Sequence, residues 1–190
     1  LADAHYNLGN ALRGLGKFQD AIISYRKALD LKPDYAAANS NLGLTLQELD
    51  KPGEAFTQHR RAISLDPQNE ALWGSFAMSL EVVSFASVDD RLYHDLLNLL
   101  ERPTVRPSYI VQSVISALHH HSDFSAIVES AGSPEQNNEF SYRETAKQLS
   151  KIPLFLRILE LEPITDLAIE QALTLLRRSM IEETTEGKAD

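Results

Sequence analysis

Apolar side chains recur three and four residues apart along most of the chain, which is the spacing of one face of an α-helix. The stripe of Leu8, Leu12 and Leu15 is the first example, and similar stripes follow as far as Met180. A sustained alternation of apolar and polar residues, which would indicate a β-strand, is absent from the sequence. The pattern therefore predicts an all-α protein.

The N-terminal part of the chain contains an internal repeat. Residues 2–12 match residues 36–46 at an offset of 34 positions, and the match continues to the end of both units. The recurring pairs are Leu8/Leu42, Gly9/Gly43, Leu12/Leu46, Leu15/Leu49, Ala21/Ala55, Ala28/Ala62, Leu31/Leu65 and Pro33/Pro67. Each unit is predicted to hold two helices. The second helix is expected to end before the proline, because proline cannot continue a helix. Gly9 and Gly43 are expected where a neighbouring helix approaches closely.

This period, with its spaced leucines, single glycine, alanines and closing proline, resembles the tetratricopeptide repeat (TPR). The resemblance implies a solenoid of helical hairpins, with two TPR units at residues 2–69. A third copy begins at Glu70, but its pattern fails after Leu80, so residues 70–86 are interpreted as a degenerate repeat or junction. Trp73 and Phe76 are expected to pack at that junction.

Beyond the repeats, cap residues and apolar spacing predict a non-repeat helical domain at 87–183, followed by a flexible tail at 184–190. Helices are predicted to start at Ser87, Ser108 and Ser141, and a short helix is predicted at 124–129. A loop is predicted at 132–138, and a last helix over 165–180. Pro153 either breaks the helix before it or starts the next one. These helices are expected to cap the stack, because about three repeats are needed for a stable solenoid.

Four segments of this second half carry a further resemblance: 87–92, 101–108, 152–156 and 173–178. They resemble the helical segment that links TPRs to a C-terminal S-adenosylmethionine-dependent methyltransferase domain in some bacterial proteins. The resemblance implies that the catalytic domain would lie beyond Asp190. The glycine-rich turn with which such a domain holds its cofactor is absent from the sequence, so this chain is expected to be inactive by itself and to need no cofactor.

Composition narrows the class of protein. The chain is 43% hydrophobic and 24% charged, as is typical of soluble globular proteins, and it has no cysteine for a disulfide, a thiolate zinc site or a thiol nucleophile. Its apolar runs are too short to span a membrane, which favours a cytoplasmic location. The net charge is -9, and the whole acidic excess lies in residues 70–190, which argues against nucleic-acid binding.

Since the sequence opens at Leu1 inside a helical pattern, it is interpreted as part of a longer protein.

Candidates for chemistry are few. The histidines 119–121 could bind a metal, but three consecutive helical side chains point about 100° apart, so a role at the end of a helix is favoured. Asp90 and His94 are one helical turn apart without a further ligand nearby, and Arg177–Arg178 suits either a helix end or a docking contact. We predict no catalytic residue and no metal site. A metal-dependent enzyme that uses the histidines remains a weaker hypothesis.

The first helix of each TPR hairpin is expected to line a concave groove. Asn7 and Asn41 recur there, and an asparagine amide can both donate to and accept from a peptide group. This rung resembles the asparagine ladder of O-GlcNAc transferase, although asparagine is also common in the repeat consensus, and Ser75 ends the ladder. The other predicted groove residues are Tyr6, Asn10, Arg13, Ser40, Leu44, Gln47 and Glu48.

TPR proteins that grip chaperone C-termini use lysine and asparagine residues in this groove. Asn10 and Asn41 match that pattern, but Tyr6 stands at the first lysine position, and Ala71 and Ser75 stand at the last basic positions. Capture of a chaperone tail is therefore disfavoured.

The sequence thus predicts a non-catalytic module that binds a polypeptide or a neighbouring domain, with no nucleic-acid or membrane partner. The alternative is a regulatory or substrate-presenting arm of a larger methyltransferase. In either case, self-association through an exposed repeat end is expected, because terminal repeats without a polar outer face leave apolar surface uncovered.

Overall fold

A computed structural model of the chain describes residues 1–81, 83, 85, 87–102, 110–131, 142–160, 166, 169–174 and 176–177. Within these ranges all regular elements are helices and none is a strand, which confirms the predicted all-α fold. The helices are α1 (Ala2–Gly14), α2 (Phe18–Leu31), α3 (Ala36–Gln47), α4 (Pro52–Leu65), α5 (Glu70–Leu80), α6 (Asp90–Leu100), α7 (Val111–His119), α8 (Ser122–Ala131), α9 (Tyr142–Leu149) and α10 (Pro153–Leu159). Residues 169–174, 176 and 177 are also helical.

The described residues fall into two compact units. The first contains α1 to α5 together with Arg102 and Ile110, and the second contains α6 to α10 and the residues after them. The boundaries predicted from sequence at residues 69, 86 and 183 stay predictions.

The first four helices form two hairpins with the same turn geometry. Gly16 in the first turn and Asp50 in the second lie 34 residues apart, and both have a positive φ, of 73° and 55°. Such a φ is easy for glycine and uncommon for other residues, although aspartate tolerates it better than most. The second helices end at Leu31 and Leu65, ahead of Pro33 and Pro67 as predicted.

The core of the first unit lies where α2 packs between α1 and α3. Its buried members are Ala21, Ile22, Tyr25, Leu42, Leu46 and Ala55, and the half-buried Tyr6, Leu12, Leu29 and Leu49 pack around them. The same arrangement recurs one repeat later, where α4 packs against both α3 and α5.

The two predicted close approaches are confirmed at Gly9 and Gly43. A Cβ atom added at Gly9 would lie 2.6 Å from Cε1 of Tyr25, and one added at Gly43 would lie 2.7 Å from Cε1 of His59. Tyr25 and His59 are themselves 34 residues apart. Each glycine therefore makes room for an aromatic ring of the second helix in its own hairpin.

A different set of contacts covers α5, where the third copy of the repeat begins. Trp73 and Phe76 on α5 are buried, and the Trp73 indole donates a hydrogen bond to the Pro67 carbonyl (2.8 Å). Arg102 forms an ion pair with Glu70, and its guanidinium carbon lies 4.2 Å from the centroid of the Trp73 ring. Arg102 therefore covers Trp73 through a cation–π contact.

The second unit is held by a separate apolar cluster. α10 packs against α6 and α7, while α8 packs against α7 and α9. Phe124 and Phe155 are fully buried with ring centroids 5.5 Å apart, and the Tyr93 hydroxyl accepts a hydrogen bond from the Leu154 amide (3.1 Å). The position of Pro153 as the first residue of α10 selects the helix-start alternative of the sequence analysis.

One predicted cap was wrong. Ser87 does not begin α6; Asp89 is its N-cap, and its carboxylate accepts a hydrogen bond from the Leu92 amide (2.6 Å). A carboxylate suits this position better, because it also interacts with the positive end of the helix dipole. The predicted short helix at 124–129 is longer, and forms α8. Ser108, Ser141, the loop 132–138, Thr165 and residues 178–190 lie outside the described residues.

Candidate functional site

Four polar side chains of the first two hairpins form one hydrogen-bonded network. The Tyr25 hydroxyl donates to Oδ1 of Asn10 (2.7 Å), and Nδ2 of Asn41 donates to the same oxygen (2.8 Å). Nδ2 of Asn41 also donates to the Tyr6 hydroxyl (3.1 Å). The network therefore connects α1, α2 and α3 at the face where the first helices of the two hairpins meet.

The glycine beside Asn10 explains how the network forms. Because Gly9 has no side chain, the Tyr25 ring reaches α1, and its hydroxyl then lies next to the amide of the following residue. Burial raises the pKa of Tyr25, although the nearby Arg13 guanidinium opposes that change. The phenol thus stays protonated and keeps its donor role at neutral pH.

The second hairpin has the same geometry without the hydrogen bonds. Here His59 takes the place of Tyr25, and Leu44 takes the place of Asn10. Both ring nitrogens of His59 are buried and lack a hydrogen-bond partner, and burial lowers the pKa of His59 to about 4. The polar network is therefore confined to the first hairpin and the start of the second.

The network leaves specific atoms available for a ligand. Oδ1 of Asn10 is saturated by two donors, whereas Nδ2 of Asn10, the hydroxyl proton of Tyr6 and Oδ1 of Asn41 have further capacity. All three residues are partly exposed. The face can therefore both donate and accept hydrogen bonds, as the consecutive peptide groups of a ligand require.

Aromatic surface adjoins these atoms. The ring centroids of Tyr6 and Tyr35 are 4.9 Å apart, and the ammonium of Lys32 lies 4.6 Å from the centroid of the Tyr35 ring. Burial, together with the Asp3 carboxylate, raises the pKa of Tyr35. The face thus combines amides, half-buried rings and charges of both signs.

The residues predicted for the groove lie in unequal environments. Asn7 is exposed on α1 without a hydrogen bond to another described residue, whereas Asn41 is half-buried and its amino group is engaged by α1. Ser40 is buried, Leu44 and Gln47 are half-buried, and Glu48 is exposed just beyond α3. Sequence reasoning missed Tyr25 and Tyr35; the 34-residue pairing of Tyr25 with His59 was the available signal.

The histidines of the second unit have separate partners. His119 contacts Asp166 (3.3 Å), Nε2 of His120 contacts the Phe85 carbonyl (2.7 Å), and Nδ1 of His94 contacts the main-chain oxygen of Asp90 (2.6 Å). His94, His120 and His121 line a cleft of about 370 Å³ with Tyr93 and Asp90. In the part of the chain that the structure describes, no three His, Asp or Glu residues are arranged to hold a metal ion.

Among the described residues, no helix combines the length and the apolar character that a membrane span requires.

Comparison with known proteins identifies the repeat. Residues 2–35 match the family described as "Tetratricopeptide repeat". No curated protein matches the chain. Among the similar solved structures, that of MamA is 14% identical, with 95% of this chain and 96% of that chain covered and a TM-score of 0.43. The structure of YrrB, described as a TPR protein with an unusual peptide-binding site, is 16% identical, with 98% of this chain and 92% of that chain covered and a TM-score of 0.47. The structure of the pilF protein of Pseudomonas aeruginosa is 20% identical, with 94% of this chain and 76% of that chain covered and a TM-score of 0.42. The chain therefore contains a tetratricopeptide repeat at residues 2–35.

Proposed function

We propose that this chain is a protein-interaction module that binds an extended polypeptide across α1 and α3 and catalyses no reaction itself. The observation that carries the proposal is the network of Tyr6, Asn10 and Asn41, which fixes three side chains and leaves each with unsatisfied donor or acceptor capacity. Side chains that are held in place before binding lose little entropy when the ligand arrives.

The chemistry of the face favours a peptide main chain as the ligand. An extended main chain offers a carbonyl acceptor and an amide donor in each residue, and these match the available atoms of Asn10, Tyr6 and Asn41. The adjacent, tilted rings of Tyr6 and Tyr35 offer apolar surface for a ligand side chain. Asp3 and Lys32 beside these rings, and Arg13 beside Tyr25, add charges of both signs.

The binding is expected to be weak. The face extends over only two hairpins, and an extended ligand loses conformational freedom when it binds. Dissociation constants in the micromolar range or above follow for an isolated peptide.

A randomised library of linear peptides displayed on phage, selected on the whole chain, supplies ligands for the test. For a selected peptide, we expect Tyr6→Phe to weaken binding about 5- to 10-fold, because it removes one hydrogen-bond donor and keeps the ring. The pair Asn7→Ala and Asn41→Ala should weaken it further. Titration calorimetry measures both affinities, and circular dichroism checks that the helices are intact.

Lys27→Ala is the matched control, since Lys27 is exposed on α2, away from the network. Its affinity for the selected peptides should equal that of the parent chain. If Tyr6→Phe and the asparagine pair also bind with unchanged affinity while staying folded, the proposed face is wrong.

The alternative, an arm of a larger methyltransferase, stays a prediction from sequence. A glycine-rich turn between a strand and a helix, encoded beyond Asp190, would favour it.

A further inference from the structure

The second unit contains a cleft that is rich in hydrogen-bond acceptors. Its volume is about 370 Å³, which is within the range of ligand-binding pockets. The cleft lies where the start of α6 meets the end of α7 and the start of α8, so its described lining belongs to this unit alone. The lining includes Asp89, Asp90, Tyr93, His94, His120 and His121.

Two of the histidines are held so that each keeps an acceptor nitrogen. Nδ1 of His94 bonds to the main-chain oxygen of Asp90 (2.6 Å), and Nε2 of His120 bonds to the Phe85 carbonyl (2.7 Å). Because a carbonyl can only accept, these two nitrogens carry the ring hydrogens. In the neutral ring, the other nitrogen of each histidine is therefore an acceptor. Both side chains are exposed, so a ligand can reach them.

The cleft is also acidic. Asp89 and Asp90 line it, and among the described residues no lysine or arginine does. The first unit has equal numbers of acidic and basic side chains, so the second unit carries the whole net charge of -9. The two carboxylates also offset the positive end of the α6 dipole. A positively charged ligand that donates hydrogen bonds is therefore favoured over an anion.

Aromatic rings adjoin these acceptors. The ring centroids of His94 and His121 lie 6.3 Å and 5.4 Å from that of Tyr93. Tyr93 is half-buried, and its hydroxyl is held by the hydrogen bond from the Leu154 amide. A ring that is fixed in this way offers a flat surface on which a planar cation can stack.

We propose that this cleft binds the guanidinium group of an arginine side chain on a polypeptide partner. A guanidinium is planar, permanently charged and carries five hydrogen-bond donors. It can therefore stack on Tyr93 while it donates to Asp90 and to a histidine nitrogen.

Other ligands match the cleft less well. An ammonium is a compact and strongly hydrated charge, which cannot stack on a ring as a planar group does. A metal ion is disfavoured, because no three His, Asp or Glu of the described residues are arranged to hold one. An arginine within a chain is favoured over free arginine, whose carboxylate the acidic unit repels.

Nuclear magnetic resonance of the whole isotope-labelled chain tests the site with capped Gly-X-Gly tripeptides, in which X is arginine, citrulline or lysine. Citrulline keeps the size of arginine but has a neutral urea group. We expect the arginine peptide to shift the amide signals of residues 88–94 and 117–122, with a dissociation constant of about 1 mM, because one side chain makes few contacts. The citrulline peptide should cause no shift, and the lysine peptide should bind roughly 5-fold more weakly.

Variants on α6 test the lining. Asp90→Asn should weaken binding of the arginine peptide about 5- to 10-fold, because it removes a charge at nearly constant size. His94→Ala should also weaken it. Glu101→Gln is the matched control, since Glu101 is exposed at the other end of α6 and does not line the cleft. Its affinity should equal that of the parent chain, and circular dichroism checks that all three variants stay folded.

The guanidinium assignment is overturned if citrulline or lysine binds as well as arginine, or if Asp90→Asn and Glu101→Gln weaken binding equally. Free arginine that binds as tightly as the tripeptide would overturn the polypeptide source. Stoichiometric zinc bound tightly by the histidines, or phosphate bound in place of arginine, would assign the cleft to another ligand. None of these results bears on the network of Tyr6, Asn10 and Asn41, which belongs to the first unit.

Discussion

Replacing Gly43 with alanine is expected to lower the free energy of unfolding of the first unit by about 1 kcal/mol. The new methyl group would lie 2.7–2.9 Å from three atoms of the His59 ring, which is 0% exposed. Overpacking of this kind costs about 1–3 kcal/mol and occasionally more, against a gain of about 1 kcal/mol in helix propensity. Urea unfolding followed by fluorescence measures the effect, since Trp73 is the single tryptophan and is buried in this unit.

Gly74 provides the control for the same chemical change. It lies within α5, and no heavy atom lies within 4 Å of a Cβ built there. Gly74→Ala should therefore raise the free energy of unfolding by about 1 kcal/mol through helix propensity alone. Equal effects at Gly43 and Gly74 would show that the His59 ring does not restrict position 43.

Acid is expected to destabilise the first unit through His59. In the unfolded chain this histidine has a pKa of about 6.5, whereas in the folded chain burial lowers its pKa to about 4. As pH falls from about 6.5 to about 4, protons bind the unfolded chain preferentially, and the folded state loses stability. At pH 5 the loss from this residue is about 2 kcal/mol. Urea unfolding at a series of pH values measures it.

His59→Leu removes the titrating group and both unpartnered ring nitrogens at nearly constant volume. We expect its stability at pH 7 to equal or exceed that of the parent chain, and its stability to change less between pH 7 and pH 5. A proton NMR titration of the parent chain checks the pKa directly. If His59 titrates near its ordinary value, or if His59→Leu is as acid-sensitive as the parent, this account of the acid sensitivity is wrong.

The periodic spacing of small and apolar residues was enough to predict the hairpins. Gly9 and Gly43 indicated close helix contacts because a missing side chain in a helix that otherwise favours alanine needs a packing reason. The ring that fills each space was not predictable in the same way. Tyr25 and His59 are different side chains at equivalent positions, and only their distances to the glycines reveal the shared role.

The hydrogen-bond network was harder to predict than the fold. Asn7 and Asn41 are equivalent in sequence, but Asn41 has a neighbouring first helix to bond with, and Asn7 has none among the described residues. The difference arises from position in the stack and not from local sequence.

The start of α6 could not be predicted from local sequence either. Ser87 and Asp89 are both good caps within three residues, and local preference could not decide between them.

The order of packing in the first unit has a consequence for how it folds. Its main helix contacts join neighbours along the chain: α1 with α2, α2 with α3, α3 with α4, and α4 with α5. Only short loops must close to form such contacts, so the entropy lost at each step is small and nucleation can start in either hairpin. Assembly of this unit is thus expected to be fast, and growth from the first hairpin formed should proceed outward one helix at a time.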